Sequence, residues 1–133
     1  MEIRKSNQEF NFDKYSIFKQ DIDSKQRAWI EVKGKSLETN VRQLRTRLNK
    51  NCEFMAVVKA DGYGHDAKVV SDYAIKGGAS QLGVATLKEG IKLRSFGVNK
   101  PILILGNLYT KRDLIISFKN DLCLLYTSPS PRD

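Results

Sequence analysis

Residues 55–65, Met-Ala-Val-Val-Lys-Ala-Asp-Gly-Tyr-Gly-His, decide the fold class of this chain. The apolar run 55–58 predicts a strand buried on both faces, and the run ends at a single lysine, Lys59. Lysine is rarely buried without a partner. A strand end at which the ammonium reaches water would explain this residue. An amine desolvated at the mouth of an α/β core, and able to attack an aldehyde, would explain it too.

The residues that follow the lysine favour the reactive amine. Gly62 and Gly64 allow a sharp turn and the close approach of a ligand to the backbone. Tyr63, four residues after the lysine, places a flat ring and a hydroxyl in the same turn. His65 is the only histidine of the chain, and we interpret it as holding the turn by hydrogen bonds rather than as a catalytic group.

Strand and helix alternate three times from residue 55 onward. Capping boxes at Thr86/Glu89 and Thr110/Asp113 predict two helix starts, and Gly77-Gly78 predicts a helix end. The predicted strands are 55–58, 81–85 and 101–105, each followed by a helix. Such units form a parallel sheet with helices outside. The fold class is therefore α/β, a partial (β/α)8 barrel of the TIM type comprising its N-terminal part only, in which chemistry gathers at the C-terminal ends of the strands.

The N-terminal half of the chain is less regular. Residues 1–26 are polar and charged without a sustained period, and we interpret them as a flexible lead-in or linker. The alternation in 28–32 predicts an opening strand. Ser36 is predicted to cap a following helix, whose apolar stripe is Leu37, Val41, Leu44 and Leu48. We take 27–122 as the barrel segment.

Composition narrows the function classes. The chain has 133 residues, a net charge of +8, 41% hydrophobic and 29% charged residues, values expected for one soluble globular domain. The basic residues are spread along the chain, and the densest group, within 42–50, is interpreted as a solvated helix face rather than a nucleic-acid site. No apolar run spans a bilayer, and no secretory pattern precedes the domain, which predicts a cytoplasmic protein. Two cysteines give no disulfide framework, and no metal site is predicted.

The segment 123–133, Cys-Leu-Leu-Tyr-Thr-Ser-Pro-Ser-Pro-Arg-Asp, breaks the preceding pattern. It resembles the in-frame translation of a sequencing-library adaptor. We therefore interpret it as an artefactual tail and leave it out of fold reasoning.

The lysine segment resembles the attachment site of pyridoxal 5'-phosphate (PLP) in the alanine racemase family, usually V-V-K-A-[DN]-A-Y-G-H-G. This chain has Gly62 where the family usually has alanine, and Asp66 where it usually has glycine. Aspartate tolerates uncommon backbone conformations better than most residues, so we expect one at Asp66. The segment 83–94, Gly-Val-Ala-Thr-Leu-Lys-Glu-Gly-Ile-Lys-Leu-Arg, is similar to the family's G-V-A-x-x-x-E-G-x-x-L-R. The resemblance covers the first third of a racemase.

This resemblance implies a PLP-dependent isomerase that interconverts L- and D-alanine and so serves cell-wall synthesis. PLP acts as an electron sink, and racemisation needs bases on both faces of the substrate. Lys59 would be the Schiff-base lysine and the base for the D-enantiomer, and Tyr63 would contact the cofactor phosphate. Val57 and Leu105 would line the cofactor, although apolar strand residues are core residues first. The second base of the family, a tyrosine contributed across a homodimer, has no counterpart here, so the fragment is expected to be inactive.

Two other functions fit parts of the pattern. One is the serine racemase domain of a membrane-linked vancomycin-resistance protein, in which residues 1–26 would be the joint. The other is a PLP-homeostasis module without racemase activity, which normally lacks the Tyr-Gly-His turn present at 63–65.

Overall fold

The computed structural model describes residues 30–125. The chain divides into two units between Glu31 and Val32, and the fold described below is that of the second unit. The predicted lead-in 1–26, residue 27, residues 28–29 of the predicted opening strand and residues 126–133 lie outside the described residues. The elements, in order, are α1 Gly34–Thr46, β1 Met55–Val57, α2 Lys59–Gly64, α3 Ala67–Gly77, β2 Gln81–Val84, α4 Leu87–Ser95, β3 Ile102–Ile104, α5 Lys111–Lys119 and β4 Leu122–Leu124.

The four strands form one parallel sheet in the order β1-β2-β3-β4. Each strand pairs with the next along the chain, with Ala56 opposite Leu82 and Leu82 opposite Ile102. Helices connect the strands, as parallel pairing requires. The alternating strand–helix pattern predicted the first three strands and their parallel pairing correctly, but not β4. No helix within residues 30–125 has the length and apolarity needed to cross a membrane.

The core lies between the sheet and its helices. Leu82, Val84, Ile102 and Ile104 point to this side and have no exposed surface, and Leu93 of α4 packs among them. Burying each such side chain contributes about 1.5–3 kcal/mol. The core therefore fixes the strands, and with them the positions at which the strands end.

Two glycines let α1 approach α3 closely. A methyl group at Gly77 would lie 2.7 Å from the Val41 side chain and 2.8 Å from the Glu38 carbonyl oxygen, and one at Gly34 would overlap the Tyr73 ring. The absence of side chains at these two positions sets the spacing of this helix pair.

Three of the predicted helix boundaries are confirmed. The capping boxes at Thr86 and Thr110 are both present, with each hydroxyl accepting from the backbone amide three residues later. Gly78 ends α3 in the left-handed conformation, with φ of 111°. These local signals succeed because side chain and backbone satisfy each other within one turn.

Other local predictions were wrong. Residues 30–32 do not form a strand, because an alternating pattern does not by itself supply the hydrogen bonds of a sheet. Ser36 lies inside α1, whose N-cap is Lys33 without a side-chain cap bond. Leu44 and Leu48 are exposed, and Leu37 and Val41 are half-buried, so the predicted stripe is covered only in part. The basic segment 42–50 extends beyond the helix, which ends at Thr46.

β4 crosses the boundary that the sequence suggested at residue 122. Cys123 pairs with Leu103 and Leu124 with Ile104, so the sheet includes two residues of the segment 123–133. The origin of that segment stays a prediction.

Arg94, at the end of α4, ties several turns together. Its Nε donates to the Asn120 carbonyl oxygen at 3.0 Å and its Nη2 to that of Asp121 at 2.7 Å. Its Nη1 donates to the carbonyl oxygens of Val98 and Lys100 at 2.6 and 2.8 Å. The planar guanidinium group therefore holds the two turns that precede β3 and β4. These turns lie at the N-terminal end of the sheet, opposite the end at which Lys59 lies.

Replacing Arg94 by lysine should destabilise the chain by about 2–4 kcal/mol, because one ammonium cannot serve four diverging carbonyl groups. The measurement is urea unfolding. Arg42→Lys is the matched control, since Arg42 makes an exposed ion pair with Glu38 at 2.7 Å and its replacement should cost less than about 0.5 kcal/mol. Equal losses in the two variants would contradict this role of Arg94.

Candidate functional site

Lys59 lies at the C-terminal edge of the sheet, as the sequence predicted. β1 ends at Val57, and the Val58 amide still donates to the Gly83 carbonyl oxygen at 2.8 Å. The Val58 side chain is buried in the core, so the backbone is fixed immediately before the lysine. Lys59 itself is half-buried. Within residues 30–125, the structure gives its ammonium no hydrogen bond and no ion pair.

The residues after Lys59 form a left-handed helical turn. Ala60, Asp61, Gly62 and Tyr63 have φ of 51°, 53°, 65° and 55°, with ψ between 36° and 49°. This conformation costs about 1–2 kcal/mol for each residue that carries a Cβ. With three such residues, the turn stores roughly 3–6 kcal/mol of strain, which the surrounding contacts must offset.

Part of the support comes from within the segment. The Gly62 amide donates to the Val58 carbonyl oxygen at 3.0 Å, and the His65 amide donates to the Gly62 carbonyl oxygen at 3.2 Å. His65 Nδ1 lies 2.9 Å from the Tyr63 carbonyl oxygen. The imidazole donates there when the proton is on Nδ1. This contact agrees with the interpretation of His65 as a residue that holds the turn.

Asp66 adopts the uncommon backbone conformation that the sequence predicted for it, with φ of 68° and ψ of 108°. Its carboxylate accepts from the Val69 amide at 3.0 Å and so caps α3. A glycine, usual here in the family pattern, would adopt this backbone without strain but could not supply the cap.

The strongest support for the turn comes from α4. Glu89 Oε1 accepts from the Ala60 amide at 2.9 Å. Its Oε2 accepts from the amides of Ala85 and Thr86 at 2.8 and 3.0 Å. The sequence identified Glu89 only as a helix cap. Its contact with Ala60, 29 residues away, leaves no local pattern by which it could be found.

Lys92, one turn further along α4, was not singled out from the sequence. Its ammonium donates to Asp61 Oδ1 at 2.9 Å, and the same oxygen accepts from the Ala67 amide at 3.3 Å. The Lys92 ammonium and, to a smaller extent, the Ala67 amide lower the pKa of the Asp61 carboxyl. The pair raises the pKa of Lys92 in turn.

These pKa shifts define when the Asp61–Lys92 pair stabilises the fold. A lowered carboxyl pKa means that its contribution is present at neutral pH and is lost as pH falls through the folded-state pKa of Asp61. A raised ammonium pKa means that the contribution is also lost as pH rises through that of Lys92. Both side chains are about half exposed, so water screens the pair and its energy is modest.

Val57 and Leu105 lie together on the sheet face opposite the helices. A methyl group built on Gly83 would lie 3.4 Å from Val57 Cγ2, 3.6 Å from Leu105 Cδ1 and 3.1 Å from Met55 Sδ. Gly83 itself is buried, so these three side chains close over it and form one apolar patch that includes two of the predicted site residues. Val57 is 38% exposed, and the Tyr63 side chain, at 58%, is freely accessible.

The described residues contain no cluster of side chains that could hold a metal ion. What they present is an unpaired amine, an apolar surface and an accessible phenol near one edge of a sheet. An amine of this kind can attack an aldehyde, and an apolar surface suits one face of an aromatic ring. These features fit PLP, whose aldehyde would react with the lysine.

Comparison with known proteins decides the family. The sequence model described as "Alanine racemase, N-terminal domain" matches residues 32–130. This chain belongs to the alanine racemase family. The family resemblance drawn from the lysine segment is thus confirmed, and the fold class with it.

The alanine racemases of Prochlorococcus marinus and of a Nostoc species are 50% and 51% identical to this chain, over 93 and 89 residues. These matches cover 70% and 67% of this chain but 24% and 23% of the relatives. The crystal structure of alanine racemase from Bacillus anthracis with bound L-Ala-P has a TM-score of 0.70 and 37% identity, covering 74% of this chain and 25% of that one. The chain thus spans about a quarter of the length of these alanine racemases.

Substituting Gly62 and Gly64 separates backbone strain from crowding in the left-handed turn. Both have positive φ, but a methyl at Gly62 would lie 2.9 Å from Val70 Cγ2, whereas one at Gly64 meets nothing within 4 Å. Gly64→Ala should cost about 1 kcal/mol, and Gly62→Ala about 1–3 kcal/mol more. Urea unfolding measures both, and equal costs would show that Val70 does not confine the turn.

Proposed function

We propose that this chain is the lysine-bearing segment of a PLP-dependent racemase that interconverts L- and D-alanine. The observation that carries the proposal is the half-buried, unpaired amine of Lys59 at the C-terminal edge of a parallel sheet. Family membership and the relatives' names support alanine as the substrate. They do not favour the serine racemase domain or the PLP-homeostasis module.

Each proposed site residue has a distinct role. Lys59 holds the cofactor through its amine and moves the proton on one face of the substrate Cα. The Tyr63 hydroxyl donates a hydrogen bond to the cofactor phosphate, and the exposure of the Tyr63 side chain allows this contact. Val57 and Leu105 cover one side of the cofactor from the apolar patch above Gly83. Bound PLP supplies the electron sink that makes the substrate Cα–H acidic.

The proposal extends to partners and compartment. A second proton-transferring group is needed on the opposite face of the substrate, and a homodimer of the complete enzyme would supply it. The substrate is a small amino acid, and the compartment we propose is the cytoplasm.

Lys59 should be the lysine that PLP modifies. The chain is incubated with PLP, reduced with borohydride and mapped by mass spectrometry. We expect preferential labelling of Lys59, because its amine lies beside the apolar surface and the phenol proposed to hold PLP, and loss of that label in Lys59→Arg, since a guanidinium forms no Schiff base. Lys88→Arg, in an exposed residue of α4, is the control and should label like the native chain.

The same substitution tests catalysis. In a chimera, residues 32–125 of this chain replace the matching segment of the Prochlorococcus marinus racemase. D-alanine formation by the chimera is measured with and without Lys59→Arg. Label confined to other lysines, or equal turnover by the two chimeras, would remove Lys59 from the proposed site.

Tyr63→Phe should weaken PLP binding by about 0.5–3 kcal/mol, the range that spans one hydrogen bond to a neutral or a charged group. PLP dissociation constants are measured by fluorescence titration. Tyr109→Phe is the control, because Tyr109 is 87% exposed and has no proposed role. An unchanged constant in Tyr63→Phe would leave this tyrosine without a part in cofactor binding.

A further inference from the structure

Two side chains of α4 contact the two residues that directly follow Lys59. We propose that Glu89 and Lys92 are positioning residues that impose the left-handed turn and thereby aim the Lys59 amine. This inference rests on the proposed function, because the amine is aimed at the cofactor. It adds two residues that lie outside the lysine segment and that neither react nor contact the cofactor.

Glu89 acts on the backbone of Ala60. Its two carboxylate oxygens divide three amide groups between them, Ala60 on Oε1 and Ala85 and Thr86 on Oε2. A carboxylate accepts at both oxygens, whereas an amide side chain accepts at one only. Glutamine at this position would set an NH2 group against at least one backbone N–H, so the charge and both oxygens are needed.

Lys92 acts on the next residue. Its ammonium lies 2.9 Å from Asp61 Oδ1, and Asp61 has φ of 53°. Because Glu89 and Lys92 are three residues apart on one helix, they lie on the same face of α4. One rigid helix thus contacts two consecutive residues of the strained turn.

Packing against the core does not by itself hold the turn in its left-handed conformation. Ala60, Asp61, Tyr63 and Gly64 are exposed, and only Gly62 is buried. On the other side of Lys59, Val58 is fixed by burial and by its bond to the Gly83 carbonyl oxygen. The lysine backbone therefore lies between one residue held by the core and two held by α4. Loss of the contacts from Glu89 and Lys92 would let the turn relax toward ordinary backbone angles, and the Lys59 amine would move with it.

Amide hydrogen exchange of the chain without cofactor tests the attachment itself. In Glu89→Gln, the Ala60 amide should exchange at least about tenfold faster relative to the Leu82 amide of the core, as expected for loss of one charge-assisted bond. Thr86→Val is the matched control, since it removes the hydroxyl that caps α4 and leaves the carboxylate on Ala60. Unchanged Ala60 exchange in Glu89→Gln would overturn the proposal.

Cofactor binding then tests the aim of the amine. Glu89→Gln and Lys92→Met should weaken PLP binding about tenfold and reduce the visible absorbance band of lysine-bound PLP. Lys92→Arg keeps the charge and should restore both, and Lys88→Met should leave both unchanged. Native affinity and absorbance in Glu89→Gln and Lys92→Met would overturn the positioning role. If the native chain forms no bond to PLP at Lys59, the proposed function fails, while Ala60 exchange still decides whether α4 holds the turn.

Discussion

Three backbone amides converge on one carboxylate, that of Glu89, and the candidate site depends on this convergence. Two of the amides belong to the loop after β2 and the third follows Lys59 after β1. Amides at the C-terminal edge of a parallel sheet have left the strand ladder and need other acceptors. By accepting all three, one side chain joins two neighbouring loops and caps α4 at the same time.

The loop after β3 is joined to the same structure through backbone contacts. The Gly106 amide donates to the Ala85 carbonyl oxygen at 3.1 Å, and a side chain at Gly106 would collide with that oxygen. The Ala85 amide thus bonds Glu89, and the Ala85 carbonyl oxygen bonds the loop that follows β3. Three successive strand ends are held in one connected network, so the positions of Val57, Lys59 and Leu105 are not independent of one another.

Local chemistry made much of this fold predictable. The capping boxes, Gly78 and the alternation of apolar runs are satisfied within a few residues, so their signals survive in the sequence alone. The opening strand 28–32 and the Ser36 cap had the right residue types, but residues 30–32 do not form a strand and the N-cap of α1 is Lys33, three residues before Ser36. The glycines at 62 and 64 indicated a turn, yet its left-handed course could not be predicted, because Ala60 and Tyr63 have no intrinsic preference for it. The contacts that impose it come from residues about 30 positions away, so Lys92 carried no local signal.

The separation between the strained turn and its supports has a consequence for biosynthesis. Lys59 and its neighbours leave the ribosome about 30 residues before Glu89 and Lys92, which is roughly 2–6 s of translation at about 5–20 residues per second. During that interval the nascent segment lacks the groups that offset its left-handed strain, and it samples ordinary backbone conformations instead. The lysine therefore acquires its mature environment only once α4 has emerged and docked, however early β1 itself is made.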